Sequence, residues 1–222
     1  MSNSRHPDDE ILGVGGTILK QSKDGDECFA LILGEGMTSR YNKRELADSI
    51  KVEKLYKDTF KAGKIVGYKK FYMEELPDNR FDSVSLLDII KIIEEYIENI
   101  KPDIIYTHFG GYLNIDQKIT FEAVLTTIRP IGNEYVKEIY AFETVSSTEW
   151  NFNSTFNFKP NYFIDITETL DEKLKAMECY KSELREFPHP RLNKNLKASA
   201  LKWGSVISKE YVEAFEVIRI IK

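Results

Sequence analysis

SVSLLDIIKIIEEYIENIKPDIIYTHFGGYLNIDQKITFEAVLTTIRP, residues 83–130, is the stretch whose reading decides the fold. In its first part Leu86, Leu87, Ile90, Ile93 and Ile97 recur at spacings of one, three and four, the mark of a helix with one buried face. Ser83 or Ser85 is placed to cap that helix, and Pro102 stops it. DIIYTH (103–108) then reads as a buried strand. FGGYLNID follows as a loop, and QKITFEAVLTTIRP (117–130) predicts a second helix ending before Pro130.

The same alternation extends in both directions. EILGVGGTILKQSK (10–23) suits a helix packed closely through Gly13, Gly15 and Gly16, with Pro7 near its first turn. CFALIL (28–33) is a short apolar run, consistent with a strand buried on both faces. An amphipathic, charged pattern predicts a helix over 43–61, and KIVGYKKFYM (64–73) a strand broken at Gly67. VKEIYAFETV and NYFIDIT are further strand candidates, LDEKLKAMECYKSEL is a helix, and a last helix is expected near KEYVEAFEVIRI. Strands alternating with helices argue for an α/β, doubly wound, mostly parallel sheet with helices on both faces. With no repeat, low-complexity tract or linker, residues 1–222 read as one domain.

Composition narrows the function. Apolar residues at 42% and charged residues at 30% suit a globular chain, and a net charge of −5 gives no general attraction to nucleic acid. No apolar stretch reaches the ~18 residues that span a bilayer, and MSNSRHPDDE is no signal peptide, so the cytoplasm is expected. Asn153-Ser154-Thr155 matches a glycosylation sequon without other signs of secretion. Cys28 and Cys179 are too few and too far apart for a disulfide framework or a thiolate metal site, and Cys28 reads as a buried thiol.

In a doubly wound sheet, ligands collect at loops leaving the carboxyl ends of strands. Two such loops, HPDDE and THFGGYLNID, carry His6, Asp8, Asp9, Glu10, His108, Asn114 and Asp116. Two readings of HPDDE stay open on spacing alone. It can be a divalent-ion site with a spare carboxylate acting on bound water, or a run of acids meeting the positive end of a helix.

HPDDEILGVGGTILK resembles the first motif of the LmbE-like zinc deacetylases, the family of the enzyme that removes acetyl from N-acetylglucosaminyl-phosphatidylinositol. LPDNRFDS, YTHFGGYLNID, TTIRP, FETVSSTEW and YKSELREFPHPR resemble further segments of a bacterial branch, in order, over almost the whole chain. The resemblance implies a Rossmann-like fold and metal-dependent removal of acetyl from a small N-acetylated amino sugar or its conjugate. It implies zinc held by His6 and Asp9, with Asp8 as general base. The third ligand, usually a histidine, falls at Gln117, a neutral amide and a weaker donor.

Other positions depart from the family or leave a choice. MSNSR is short and polar where an apolar central strand is expected, so the first strand reads as short or absent. Tyr112 stands where close relatives have Asp, either as a loop aromatic or as a donor to the oxyanion. His189 is a candidate acid or oxyanion donor, or a packing histidine. Arg40, Arg129 and Arg191 are candidate substrate contacts, with structural ion pairs as the rival role. Asp116 either tunes the site or caps the following helix, and Trp150 either stacks on a sugar or packs in the core. These departures also allow a second function, a sugar-binding protein with a degraded metal site and little or no turnover.

Overall fold

A computed structural model describes residues 1–41, 44–131, 136–152 and 157–222. The sequon at Asn153 lies outside the described residues. Seven strands form one sheet: β1 (Ser2–Ser4), β2 (Phe29–Gly34), β3 (Lys70–Leu76), β4 (Ile104–His108), β5 (Glu138–Phe142), β6 (Tyr162–Asp165) and β7 (Val212–Ile220). Their order is β3-β2-β1-β4-β5-β7-β6. β1 to β5 run parallel, whereas β7 is antiparallel to both β5 and β6. The helices are α1 (Asp9–Lys23), α2 (Ser49–Val66), α3 (Leu86–Ile100), α4 (Ile115–Thr127), α5 (Leu170–Cys179) and α6 (Asn193–Val206). None is long and apolar enough to cross a membrane.

Alternate side chains of each strand feed two cores. Ala30, Tyr106, Tyr140, Phe142 and Phe215 pack with Ile11 and Ile18 of α1, Leu55 of α2, Met177 of α5 and Leu196 of α6. Leu31, Leu33, Ile105 and Ile139 point the other way, onto Ile89, Ile90 and Ile93 of α3 and Ala123 and Val124 of α4. This is why CFALIL is apolar without alternation: successive side chains enter different cores. Cys28 is a buried free thiol just before β2.

Three expectations need correction. Residues 2–4 do form a strand, and it is central. β1 pairs Ser2, Asn3 and Ser4 with Ala30, Leu31 and Ile32, and Ser2 with Tyr106 on the other side. Backbone pairing on both edges makes up for the polar side chains, and Ser2 Oγ shares a 2.7 Å hydrogen bond with the Tyr68 hydroxyl. The segment 64–73 is two elements, because Gly67 (φ 83°) closes α2 in the left-handed conformation and the strand starts only at Lys70. The segment near KEYVEAFEVIRI is strand β7, not a helix. Its β-branched and aromatic residues fit either period, and pairing with β5 and β6 decides for strand. The last helix is instead α6, over residues the sequence pattern left unassigned.

α1 carries an unusual buried ion pair along its flank. Lys173 Nζ on α5 lies 2.6 Å from Glu213 Oε1 on β7 and donates to the Leu12 carbonyl at 2.7 Å. Glu213 in turn accepts from the amides of Gly16 (2.9 Å) and Thr17 (2.8 Å). Glycine also lets α1 lie close to the chain after β6: a Cβ on Gly16 would sit 2.9 Å from the Ile166 side chain.

Candidate functional site

β1 ends at Ser4 and the chain turns through residues 5–8 into α1, at the carboxyl edge of the parallel strands. Asp8 takes φ 116°, a conformation that costs a non-glycine residue about 1–3 kcal/mol. Three contacts hold it there. Its amide donates to Glu10 Oε2 at 3.0 Å, its Oδ1 lies 3.1 Å from His6 Nδ1, and its Oδ2 accepts from Arg191 Nη1 at 2.7 Å. His6 Nδ1 is also 2.7 Å from the Pro7 carbonyl. Two oxygen acceptors on one ring nitrogen mean that Nδ1 carries the proton. Burial alone would lower the His6 pKa, but the bond to Asp8 outweighs it and the net shift is upward. Gly36 (φ 64°) borders the ring, and a Cβ there would stand 2.9 Å from His6 Nε2.

Glu10 is fully buried, and burial pushes its pKa up to about 8 even though the Tyr180 hydroxyl and the Asp8 amide donate to it. It therefore carries its proton near neutral pH.

Beneath this turn lies a second charged layer. Arg5 is buried, with Nη1 2.9 Å from Asp78 Oδ1 and Nε 3.5 Å from Asp9 Oδ2. Burial pushes Asp78 up, but His6 and Arg5 outweigh it and hold its pKa low, and Ser39 Oγ donates to it at 2.6 Å. His108, at the end of β4, has Nε2 3.4 Å from Asp9 Oδ2 and accepts the Arg5 amide at 3.1 Å. Burial and the nearby Arg5 charge push the His108 pKa well down, so it is a neutral ring. Asp116 accepts from the amides of Asn79 and Phe81, and burial raises its pKa. It thus fastens the 78–82 loop to α4, while Asn114 is the residue that caps that helix.

The outer wall joins Arg40 to residues from the second half of the chain. Arg40 Nη2 meets both oxygens of Glu183 at 2.6 and 2.8 Å, and Arg191 Nη1 lies 3.6 Å from the same carboxylate. Arg191 Nε donates to Ser146 Oγ at 3.2 Å, and its amide to His189 Nδ1 at 3.1 Å. The Trp150 ring stands edge-on to His189 at 5.3 Å, and 43% of Trp150 is exposed. Burial, then Arg191 and Arg185, lower the His189 pKa.

Among the residues singled out from the sequence, the structure gathers His6, Asp8, Arg40 and Arg191 through shared contacts, with His189 attached through Arg191. Gln117, on the first turn of α4, is fully buried, and among the described residues neither of its amide atoms has a hydrogen-bond partner. The Tyr112 hydroxyl is fully buried and donates to the Phe142 carbonyl. Arg129 is exposed beyond the far end of α4, beside Glu94 and Glu98, one 13-residue helix (roughly 20 Å) from the start of that helix. Arg5, Asp78 and Glu183 carry much of the site's charge, and the sequence reading gave them no role. Their signal was weak, since an Arg–Asp pair separated by 73 residues leaves no spacing pattern.

The fit of a divalent ion can be tested on these contacts. Asp9 has both oxygens buried without a hydrogen bond, which favours a cation beside it. His6, with its proton on Nδ1, also keeps the Nε2 lone pair for a metal. The rest of the set does not fit: Gln117 offers only an amide, and Arg5 already faces Asp9 Oδ2. A divalent ion bound there would be repelled by the guanidinium, on the order of 8 kcal/mol for charges about 4 Å apart at an effective dielectric of 20, before the attraction of the carboxylates is counted. His6, Asp8 and Glu183 offer another group of atoms within 4.8 Å of one another, but both of its acids carry an arginine. The residues present do not fit a zinc site of the implied kind.

The comparisons with known proteins agree with the architecture. Residues 4–128 match the family described as PIG-L, GlcNAc-PI de-N-acetylase. The diacetylchitobiose deacetylase of Thermococcus kodakarensis is 24% identical over 96% of this chain and 80% of its own length. A probable N-acetyl-α-D-glucosaminyl L-malate deacetylase 2 of Bacillus anthracis is 23% identical over 80% of this chain and 78% of its own. The N,N'-diacetylchitobiose deacetylase from Pyrococcus horikoshii superposes with a TM-score of 0.77 at 23% identity, covering 98% of this chain and 82% of that one. The family match spans more than half of the 222 residues, and the chain belongs to the PIG-L (LmbE-like) de-N-acetylase family.

Proposed function

We propose that this protein recognises an N-acetylated amino sugar, or a conjugate of one, at the site where its relatives remove acetyl, and that it turns the amide over weakly or not at all. The observation that carries this reading is Arg191. It ties Asp8, the position of the general base, to Ser146 and Glu183 beside the Trp150–His189 pair. In this arrangement Trp150 offers an aromatic edge and face to a sugar ring, and the Arg191 and Arg40 forks offer donors to its hydroxyls or to a phosphate. Asp8 is engaged by a guanidinium and by His6, so it is held as a binding and positioning group.

The test is calorimetric titration with N-acetylglucosamine, diacetylchitobiose and N-acetylglucosamine 1-phosphate, alongside an assay for released acetate with and without added zinc. Saturable binding with acetate release at least about 10³-fold below a typical enzyme rate of ~10 s⁻¹ is expected. Absence of binding to all three would sink the reading.

A working metal-dependent de-N-acetylase is the second reading, favoured by the His6, Asp8 and Glu183 atoms that cluster within reach of one ion. It requires Arg191 and Arg40 to leave those carboxylates. Zinc-stimulated acetate release at ordinary enzyme rates would establish it.

A further inference from the structure

One cation inside the site explains how two of its acids survive burial. Asp9, at the first position of α1, and Asp78, in the loop after β3, come from segments about 70 residues apart and are both nearly sealed from solvent. Carboxylates in such a place need a partner of opposite charge. Arg5 stands between them, 3.5 Å from one and 2.9 Å from the other, and is itself 7% exposed. The contact to Asp9 is ionic rather than hydrogen-bonded, since among the described residues neither Arg5 Nε nor the Asp9 oxygens have a hydrogen-bond partner. It is a charge contact of the kind a cation makes.

We propose that Arg5 is a resident cation that takes the electrostatic place of a divalent ion beside Asp9 and Asp78, so that the site assembles without metal. The inference rests on the reading of the cleft given above, and deepens it by saying what replaced the ion. Gln117 fits the same picture, because a site whose acids already face a guanidinium has no use for a histidine as third ligand at the start of α4. Arg5 reaches its position from β1, with its carbonyl accepting the Gly34 amide at 2.8 Å and its amide donating to His108, so the backbone fixes the root of the side chain on both sides.

The experiment compares the wild-type chain with Arg5→Met and Arg5→Met/Gln117→His. Each is dialysed against zinc and freed of excess, then measured for metal by elemental analysis and for melting temperature with and without chelator. The wild type is expected to hold well under about 0.2 zinc per chain and to melt at the same temperature in zinc and in chelator. Arg5→Met is expected to lose stability, and to regain about 5 °C or more when zinc is supplied. The double variant is expected to retain about one zinc per chain. About one tightly held zinc in the wild type overturns the proposal without any variant. So does an Arg5→Met chain whose melting, or whose recovery on refolding, is the same with and without zinc. The sugar titration separates this inference from the functional reading. A metal-free wild type that binds none of the three sugars leaves Arg5 as proposed and removes the ligand assigned to the cleft.

Discussion

At the scale of single residues the site is a set of acids kept in place by specific partners, and Glu10 is the clearest case. Burial raises its pKa from an ordinary 4.5 to about 8, so the folded chain keeps a proton that the unfolded chain releases. Stability from this group is full below about pH 4.5, declines as pH rises, and is gone by about pH 8. Glu10→Gln removes the titration while leaving an oxygen for the Asp8 amide. The variant is expected to melt higher than wild type at pH 8 and to differ little at pH 5, as a pair of thermal scans would show. Arg191 gives the converse expectation. Arg191→Met strips Asp8 and Ser146 of their shared partner, and sugar affinity is expected to fall by about 10- to 100-fold, the 1.5–3 kcal/mol of a hydrogen bond to a charged group. Titration of the variant would check this, with wild-type binding at Arg129→Met as the control, since Arg129 lies at the far end of α4.

Elements matter here through what they lend to α1, the helix whose start forms the site. Lys173 from α5 and Glu213 from β7 reach its backbone as a buried pair, with side-chain exposures of 8% and 5%. Removing one partner leaves the other charged, buried and facing helix amides or a helix carbonyl. Lys173→Met is therefore expected to cost about 3–5 kcal/mol, read from denaturant midpoints. The double change Lys173→Met/Glu213→Gln is expected to cost less than the sum of the two single changes. An unchanged midpoint in Lys173→Met would show that the pair contributes nothing to holding α1.

At the scale of the whole molecule, one sheet runs through every described part of the chain, with cores on both faces. Residues 1–222 are thus expected to unfold in a single cooperative transition, with calorimetric and van't Hoff enthalpies that agree; two resolved transitions would contradict the one-domain reading. What was legible from sequence follows the same geometry. Strands β2 and β4 and helix α3 announce themselves because each draws its pattern from its own burial. β1 and β7 did not, because pairing with distant strands decides their state: Ser2–Asn3–Ser4 has almost no strand propensity, and Val212–Ile220 fits two periods. The site divides likewise. The HPDDE turn is local and readable, whereas Arg5, Asp78 and Glu183 gain their roles only from long-range contact.

The short central strand carries a consequence for the order of folding. Arg5 and His108 meet across 103 residues, and the Met1 amine reaches Ile104 across the same span. The HPDDE turn has β2 and Asp78 close by in sequence, but β1 has no neighbour on its other edge until β4 is in place. Closing the middle of the sheet therefore waits on contact between segments about a hundred residues apart.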